Sequence, residues 1–423
     1  MRKLASIQTI VDIQPIPKSD YLERVTVLGW HCVVKKDEFK VGDKIVYVEV
    51  DSILPDGLSH ENKLILDDLN KQLKNEKDKL KTNKEHDTTN IDKITKEIEV
   101  ITSQNTLPQY EFLRSRKFRV RTIKLRKQIS QGLILPLYAL VNTKINIKTV
   151  KIDTDVTTAL GVIKYLTPSE KEELNQQLIT KHWTKNYKLT KKLWRYKWFR
   201  NIVQPVKQKG FPKWVIKTDE ERVQRLEQLI NDYKDYDVTV TEKIDYQSAT
   251  FSVNTNKKKL FGNKTNFVVC SRNQKNNQKL SLYGQIASKY NLKKILTPYK
   301  NITVQGEQGS SKVQGNKYKL TSPKMWVFHI TKHDKNLNRY YYDYNEMNTF
   351  CIKHKLDIVP LIKQCKLHEI GNTIDEMVDF SKGKSKINPK IEREGVVVSC
   401  IKDGKKEFSF KIINPNFLLK FED

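Results

Sequence analysis

The chain has 423 residues, too long for one ordinary domain and suited to about two or three. With 38% hydrophobic and 30% charged residues and no long apolar run, it excludes a transmembrane helix. Recurrent aromatic and branched residues exclude a disordered chain, and a formal net charge of +29 predicts attraction to a polyanion, nucleic acid first. Binding to it is expected to weaken steeply with salt as condensed counterions are released.

The start, Met1-Arg2-Lys3-Leu4-Ala5-Ser6-Ile7, lacks the apolar stretch of a secretory signal. Five scattered cysteines, Cys32, Cys270, Cys351, Cys365 and Cys400, are odd in number with no Cys-x-x-Cys pair. They imply reduced thiols and a cytoplasmic or nuclear setting. Residues 1–58 alternate β-rich runs and turns: Val25-Thr26-Val27-Leu28-Gly29-Trp30, Cys32-Val33-Val34, and Lys44 to Val50 after the Val41-Gly42-Asp43 turn. The pattern resumes at Lys117 to Leu125 and Ser130-Gln131-Gly132-Leu133, a small-barrel signature spanning 1–145.

Between these halves, residues 60–106 are rich in Lys, Asp, Asn and Glu. Leu66, Leu69, Leu73 and Leu80, then Ile91, Ile94, Ile98 and Ile101, keep helical spacing on either side of a polar break at Thr82 to Asn90. The spacing predicts an inserted antiparallel helical hairpin closed by that apolar seam. Residues 146–209 are expected to be a connector, with a short helix at Ser169 to Leu178. Its aromatic and basic run from Trp183 to Phe199 suits either basic groups that meet phosphates among packed aromatics or, the favoured reading, an interdomain plug with snorkelling lysines. A catalytic domain is expected over 210–423, opening with a helix capped by Thr218 or Asp219. Strands and short helices then predict an antiparallel-sheet α+β domain. His329 and His333 are four apart but sit in a strand-like run, so a surface pair is expected rather than a zinc site.

Within this last stretch, Val238-Thr239-Val240-Thr241-Glu242-Lys243-Ile244-Asp245 alternates as a strand and sets Lys243 and Asp245 on one face. Ser271-Arg272-Asn273, Gly306-Glu307, Trp326-Val327-Phe328-His329-Ile330, Glu394-Gly395 and Phe410-Lys411-Ile412 follow. This ordered series resembles the covalent nucleotidyltransferase superfamily. Within it, the chain is similar to the ATP-dependent RNA ligases with an N-terminal OB domain, the Deinococcus-type RNA ligases. The resemblance covers the OB domain, the stretch before Lys243 and the core motifs, and is expected to skip 60–106.

The resemblance implies an α+β multidomain chain, an OB-fold β-barrel with its helical hairpin ahead of an ATP-grasp-like nucleotidyltransferase domain. It implies that Lys243 carries AMP, with Asp245, Glu307 and Glu394 placing a Mg2+ or Mn2+ ion, its waters or the ribose. Glu242 is matched to the residue that reads the adenine amino edge and Phe328 to the aromatic that stacks on the adenine. Arg272 is matched to a phosphate contact, Lys411 to the α-phosphate lysine and Asn273 to a nucleic-acid contact. Arg114, Arg116, Arg119 and Arg121 form an expected basic face of the OB domain. Attack on the α-phosphorus needs an uncharged amine, so Lys243 is expected to have its proton removed or its pKa lowered by burial and by cationic neighbours, for which Lys411, a bound metal and Arg272 are suitable.

The expected function is sealing of 3′-OH and 5′-phosphate ends in nicked duplex RNA or an RNA–DNA hybrid, by a monomer with no membrane partner. Two departures from the family pattern stand out. Tyr246 replaces a usual glycine, which leaves crowding or stacking open, and Ser409 and Ile413 flank Lys411 where a second lysine is common. With few residues after Lys411, no C-terminal OB domain of the DNA ligase or capping-enzyme kind is expected. A ligase for single-stranded or tRNA ends, and a non-catalytic RNA-binding protein with a decayed pocket, are the alternatives.

Overall fold

The strand Ala5–Pro15 (β1) serves two hydrophobic clusters, sending Ala5 and Ile7 into one and Ile10 into the other. The computed structural model describes residues 3–56, 60–82, 88–103, 110–166, 211–258, 262–272, 275–276 and 281–421. They belong to two units, Met1–Thr167 and Pro168–Asp423.

In the first unit β2 (Leu22–Val27) and β3 (Trp30–Lys35) pair as a hairpin. The run expected from Val25 to Trp30 is therefore broken at Leu28-Gly29, where Leu28 takes φ 52°. β4 (Lys44–Val48) lies between β1 and β9 (Leu133–Pro136), in a sheet ordered β3-β2-β1-β4-β9. Its alternation sends Ile45 and Tyr47 into one cluster with Trp30 and Val25, and Val46 and Val48 into another with Leu135 and Leu140. Side chains this buried each contribute about 1.5–3 kcal/mol. β5 (Ser52–Ile53) pairs with β6 (Arg119–Val120) and β10 (Ile163–Lys164), and β7 (Thr122–Leu125) with β8 (Gln128–Gln131).

Two helices, α1 (His60–Thr82) and α2 (Thr89–Ser103), stand between β5 and β6 in the chain and lie against one another, as the seam predicts. Leu69 is buried, and Leu73, Ile91, Ile94 and Ile98 are half-buried. The side chains of Leu66, Leu80 and Ile101 lie outside the described residues.

The connector expected from 146 starts later. Val150, Val156 and Val162 are buried in the first unit, and the Ile7 amide donates to the Thr154 carbonyl at 3.0 Å. Apolar residues at that spacing belong to the barrel core rather than to a solvated linker. The expected helix at 169–178 and the aromatic run at 183–199 lie outside the described residues.

The second unit is built on two sheets. One is ordered β11 (Glu221–Arg222), β21 (Lys405–Ile413), β20 (Gly395–Lys402), β12 (Asp237–Lys243) and β19 (Leu361–Lys366). The other runs β14 (Gly262–Cys270), β13 (Gln247–Lys258), β15 (Ile302–Gly309), β16 (Lys324–His333) and β17 (Arg339–Tyr341), with β18 (Asp357–Ile358) also on β16. All pairs are antiparallel except β11 with β21 and β16 with β18.

The helix expected to open this domain at 217–223 is absent. Lys217 to Glu220 has no regular structure, β11 follows, and α3 (Glu227–Asp232) begins after Leu226 with no side-chain cap. Asp219 is engaged by distant cations instead, as shown below. The first sheet packs Val238, Val240, Val396, Phe408 and Phe410 into one cluster. The second packs Phe251, Ile302, Val304 and Val327 against α4 (Leu282–Lys289), α5 (Leu292–Leu296) and α6 (Tyr344–His354). His329 and His333, expected at the surface, lie on β16 at 9% and 8% exposure.

Candidate active site

The chain passes from the first sheet to the second over Ile244-Asp245-Tyr246, and the charged residues gather around that crossing. On β12 the β-branched alternation buries Val238 and Val240 and leaves Thr241 and Lys243 on the other face. Lys243 is the last residue of the strand and pairs with Gly395, the first of β20. Gly395 has φ 153°, and a Cβ there would meet the Ile412 carbonyl oxygen at 2.1 Å, so only glycine lets the strands close here. Glu394, one residue earlier, accepts from Lys243 Nζ at 2.5 Å. Their side chains are 25% and 12% exposed. Asp245 forms a second ion pair, with Lys317, and its amide donates to the Tyr318 hydroxyl at 3.1 Å.

Glu307 alternates with Gly306 and Gln308 on β15 and lies opposite Ser248. Burial raises its pKa well above the carboxylate range, with Lys243 opposing. Burial also raises Glu394, again against the pull of Lys243. For Lys243 itself burial works downward, but Glu394, Asp245 and Glu307 together outweigh it and the pKa is raised. Arg272 and Lys411 therefore do not lower Lys243 as expected of them. The reason is local: its nearest charges are carboxylates, not cations.

The lowered amine is Lys411. It sits on β21, opposite Val397 on β20 and in register with Arg222 on β11. Burial, then the charge of Lys243, bring it down to about 8. Asp219 Oδ1 accepts from Arg272 Nη2 at 2.8 Å and lies 3.5 Å from Lys411 Nζ. Although burial opposes it, Arg272 and Lys411 hold the Asp219 carboxyl below its ordinary value. Arg272 and Lys411 are thus gathered by an acid that the sequence reading took for a helix cap.

Phe328 owes its position to a bulge. Gln305 pairs with His329 and Gly306 with Val327, so Phe328 is the extra residue of β16, which re-aims its side chain. It is half-buried against the cluster of Ile244, Tyr246, Tyr318 and Trp326. Glu242 alternates onto the face opposite Lys243, at 1% exposure. Its Oε2 accepts from the Lys386 amide at 2.7 Å, and its Oε1 has no hydrogen-bond partner. Tyr246 belongs to the buried cluster against which Phe328 packs. Its ring lies parallel to Trp326 at 6.2 Å, its hydroxyl donates to Asn316 Oδ1 at 3.1 Å, and Gly309 makes room for it. A Cβ on Gly309 would lie 2.5 Å from that ring.

No group of three or more His, Cys, Asp or Glu among the described residues is arranged to hold a metal ion. Lys243 and Lys317 take up part of the expected set of Asp245, Glu307 and Glu394. Glu307 Oε2 and Glu394 Oε2 are nonetheless buried without a hydrogen-bond partner. Each is a hard oxygen donor that suits a divalent cation once the cation displaces the proton that burial favours, with water and phosphate oxygens filling the remaining positions.

Arg119 departs from the expected basic face. It is buried in the first unit, donates to Asp51 Oδ1 at 3.2 Å, and its guanidinium lies 3.6 Å from the Tyr165 ring centre. Arg121 is half-buried, and Asn273 lies outside the described residues. Sequence reasoning missed Asp219, Lys317 and Tyr318 as site residues. Only the acidic cluster Asp219-Glu220-Glu221 inside a basic chain signalled any of them.

An OB-fold domain model matches residues 4–87 and 93–137, and an RNA ligase model matches 236–413. The first match runs through α1 and most of α2, so the resemblance does not skip 60–106 as expected. No curated protein matches the chain. Among solved structures, Naegleria gruberi RNA ligase with PPi is 26% identical, with a TM-score of 0.66 and coverage of 100% of each chain. A point mutant of the same ligase with AMP and Mn is 25% identical, with the same TM-score and coverage. Another, with ATP and Mn, is 24% identical, with a TM-score of 0.67 and coverage of 100% of each chain. With an OB-fold model matched ahead of an RNA ligase model, and the same order in the matched ligase structures, the chain carries an RNA ligase domain behind an OB-fold domain and is an enzyme that joins RNA ends with ATP and a divalent metal.

Proposed function

We propose that this ligase works through a lysyl-AMP formed on Lys243 and that it seals nicks in duplex RNA or RNA–DNA hybrids as a monomer. The observation that carries the reading is the Lys243–Glu394 pair at 2.5 Å, set beside open carboxylate oxygens and the Arg272–Asp219–Lys411 cluster. Lys243 Nζ gives up a proton and attacks the α-phosphorus of ATP, the bond to pyrophosphate breaks, and a P–N bond forms. An oxygen of the RNA 5′-phosphate then takes the AMP and the amine regains its proton. The 3′-OH attacks that activated phosphate and AMP leaves.

A divalent cation held through Glu307 and Glu394 would neutralise charge on the phosphates. Those acids, with Asp245, are what raise Lys243, so engaging them leaves burial to lower it. Lys411 and Arg272 stabilise negative charge on the phosphates, and Asp219 positions both. Lys317 and Tyr318 position Asp245. Phe328 supplies a face for the base, and Glu242 Oε1 an acceptor for its amino group. Tyr246, packed between Tyr318 and Trp326, gives no support to a decayed pocket. Free thiols at all five cysteines support a reducing compartment.

The substrate is tested with matched nicks. Sealing is expected to be fastest when the 3′-OH strand ends in ribose, and slower on an unsplinted strand. Equal sealing of all-DNA nicks would remove the RNA-nick reading, and preference for the unsplinted strand would replace it with a single-strand ligase.

A further inference from the structure

On β15, Ile302 and Val304 point into the cluster formed with α4, α5 and α6, whereas Thr303, Gln305 and Glu307 alternate onto the other face. The three helices therefore cover the side of this sheet away from Glu307. On that side lies a cleft of about 820 Å3, lined by Lys289, Lys294, Lys353, Lys355, Tyr299 and His354 among others, with no acidic residue in its lining. This is within the range of about 300–1,000 Å3 usual for ligand sites.

The charge in this cleft is not neutralised. Among the described residues none of the four lysines forms an ion pair; Lys289 Nζ donates to the Pro323 carbonyl at 2.5 Å, and Lys294, Lys353 and Lys355 are exposed. Asp357, the nearby acid, is taken up by Lys324 at 3.0 Å and by the Tyr290 hydroxyl at 3.3 Å. The geometry holds the lysines around the cleft. Lys353 is in the last turn of α6, and Lys355 caps that helix in the left-handed region at φ 54°. The Tyr299 hydroxyl and His354 Nε2 are hydrogen-bonded at 2.7 Å, and the Tyr299 ring packs at 5.2 Å from Phe350. Such a rigid aromatic wall beside ammonium groups that hold no carboxylate suits a strand whose phosphates meet the lysines.

We propose that the cleft between α4–α5 and the end of α6 is a second RNA site, which takes the phosphodiester backbone of a strand on the face of the sheet away from the sealing centre. It does not depend on the chemistry at Lys243. The cleft holds the strand by charge rather than by sequence, so its contribution is salt-dependent.

The test is a titration of the full chain, without ATP, against a fluorescein-labelled single-stranded RNA lacking a 5′-phosphate. The double variant Lys294→Ala/Lys353→Ala is compared with Lys402→Ala/Lys405→Ala, which removes the same charge from an exposed hairpin end. The cleft variant is expected to bind about fivefold or more weakly, with a log–log salt slope shallower by about one and a half. The hairpin variant should match the wild type, and Lys294→Arg/Lys353→Arg should restore the slope. All are expected to keep AMP transfer from labelled ATP and an unchanged melting temperature. Equal RNA affinity and slope in the two alanine variants would overturn the proposal. Loss of pyrophosphate binding with RNA affinity intact would also overturn it, in favour of a free-anion site.

Discussion

Lys243 and Lys411 lie on the same sheet with one strand between them, both largely buried, yet their environments push them in opposite directions. Around Lys243 the neighbours are Glu394, Asp245 and Glu307, and the amine is held protonated. Around Lys411 they are Lys243, Arg222 and Arg272, offset by Asp219, and the amine falls to about 8. His329 shows burial with little else acting: desolvation, helped by Lys406, lowers it to about 3. Burial is thus common to the three groups, and the sign of the nearest charges decides the outcome. In the proposed lysyl-AMP route, Lys243 is therefore stored as a salt bridge and becomes reactive once its carboxylates are engaged by ligand.

The largest effect expected from breaking this contrast is at Lys411. Lys411→Ala should slow AMP transfer about a hundredfold, and Lys411→Arg should recover part of it, as measured by single-turnover transfer from labelled ATP. Wild-type-like transfer in Lys411→Ala would remove it from the site.

His329 sharpens the role of burial. Its folded-state pKa is lowered, so the unfolded chain takes up a proton first, and stability falls as pH drops below about 6.5 towards about 3. The ceiling of this effect at pH 5 is about 2 kcal/mol. Thermal melts from pH 7 to 5 should show a shallower loss in His329→Gln, and parallel slopes would contradict it.

Asp219→Asn leaves Arg272 and Lys411 without their shared acid. It is expected to raise the KM for ATP about tenfold with little change in fold, at a cost near 1.4 kcal/mol in ground-state binding. A fall in kcat alone would show that Asp219 acts elsewhere. The smallest effect is expected at Tyr246. Tyr246→Phe loses one hydrogen bond, to Asn316, at about 1 kcal/mol of stability, and should leave AMP transfer intact. A large loss of transfer would place that ring in the nucleotide pocket.

Much of this site was legible in the residues. The alternation of Val238 to Lys243 gave the strand and its two faces, and a barrel followed by antiparallel sheets was readable from β-rich runs and turns. What stayed hidden depends on contacts between distant residues. Asp219 looks like a helix cap until Arg272 and Lys411 arrive from 53 positions away and from β21. The bulge that turns Phe328 has no signal in its own strand, because it is defined by the partner's register. Arg119 reads as a surface cation, and only the pairing of β5, β6 and β10 brings Asp51 and Tyr165 to it. Lys243 was expected to be lowered because its cationic neighbours are visible as motifs. Their distances, and those of the carboxylates, are not.

The most direct measurement is transfer of label from α-labelled ATP to the denatured protein, with magnesium or manganese and without RNA, beside Lys243→Ala. Acid-labile label on the wild type, mapped to the peptide containing Lys243 and absent from the variant, is the expected result. Folded wild-type protein that takes no label with either metal, or a variant that takes as much, would contradict a lysyl-AMP at Lys243.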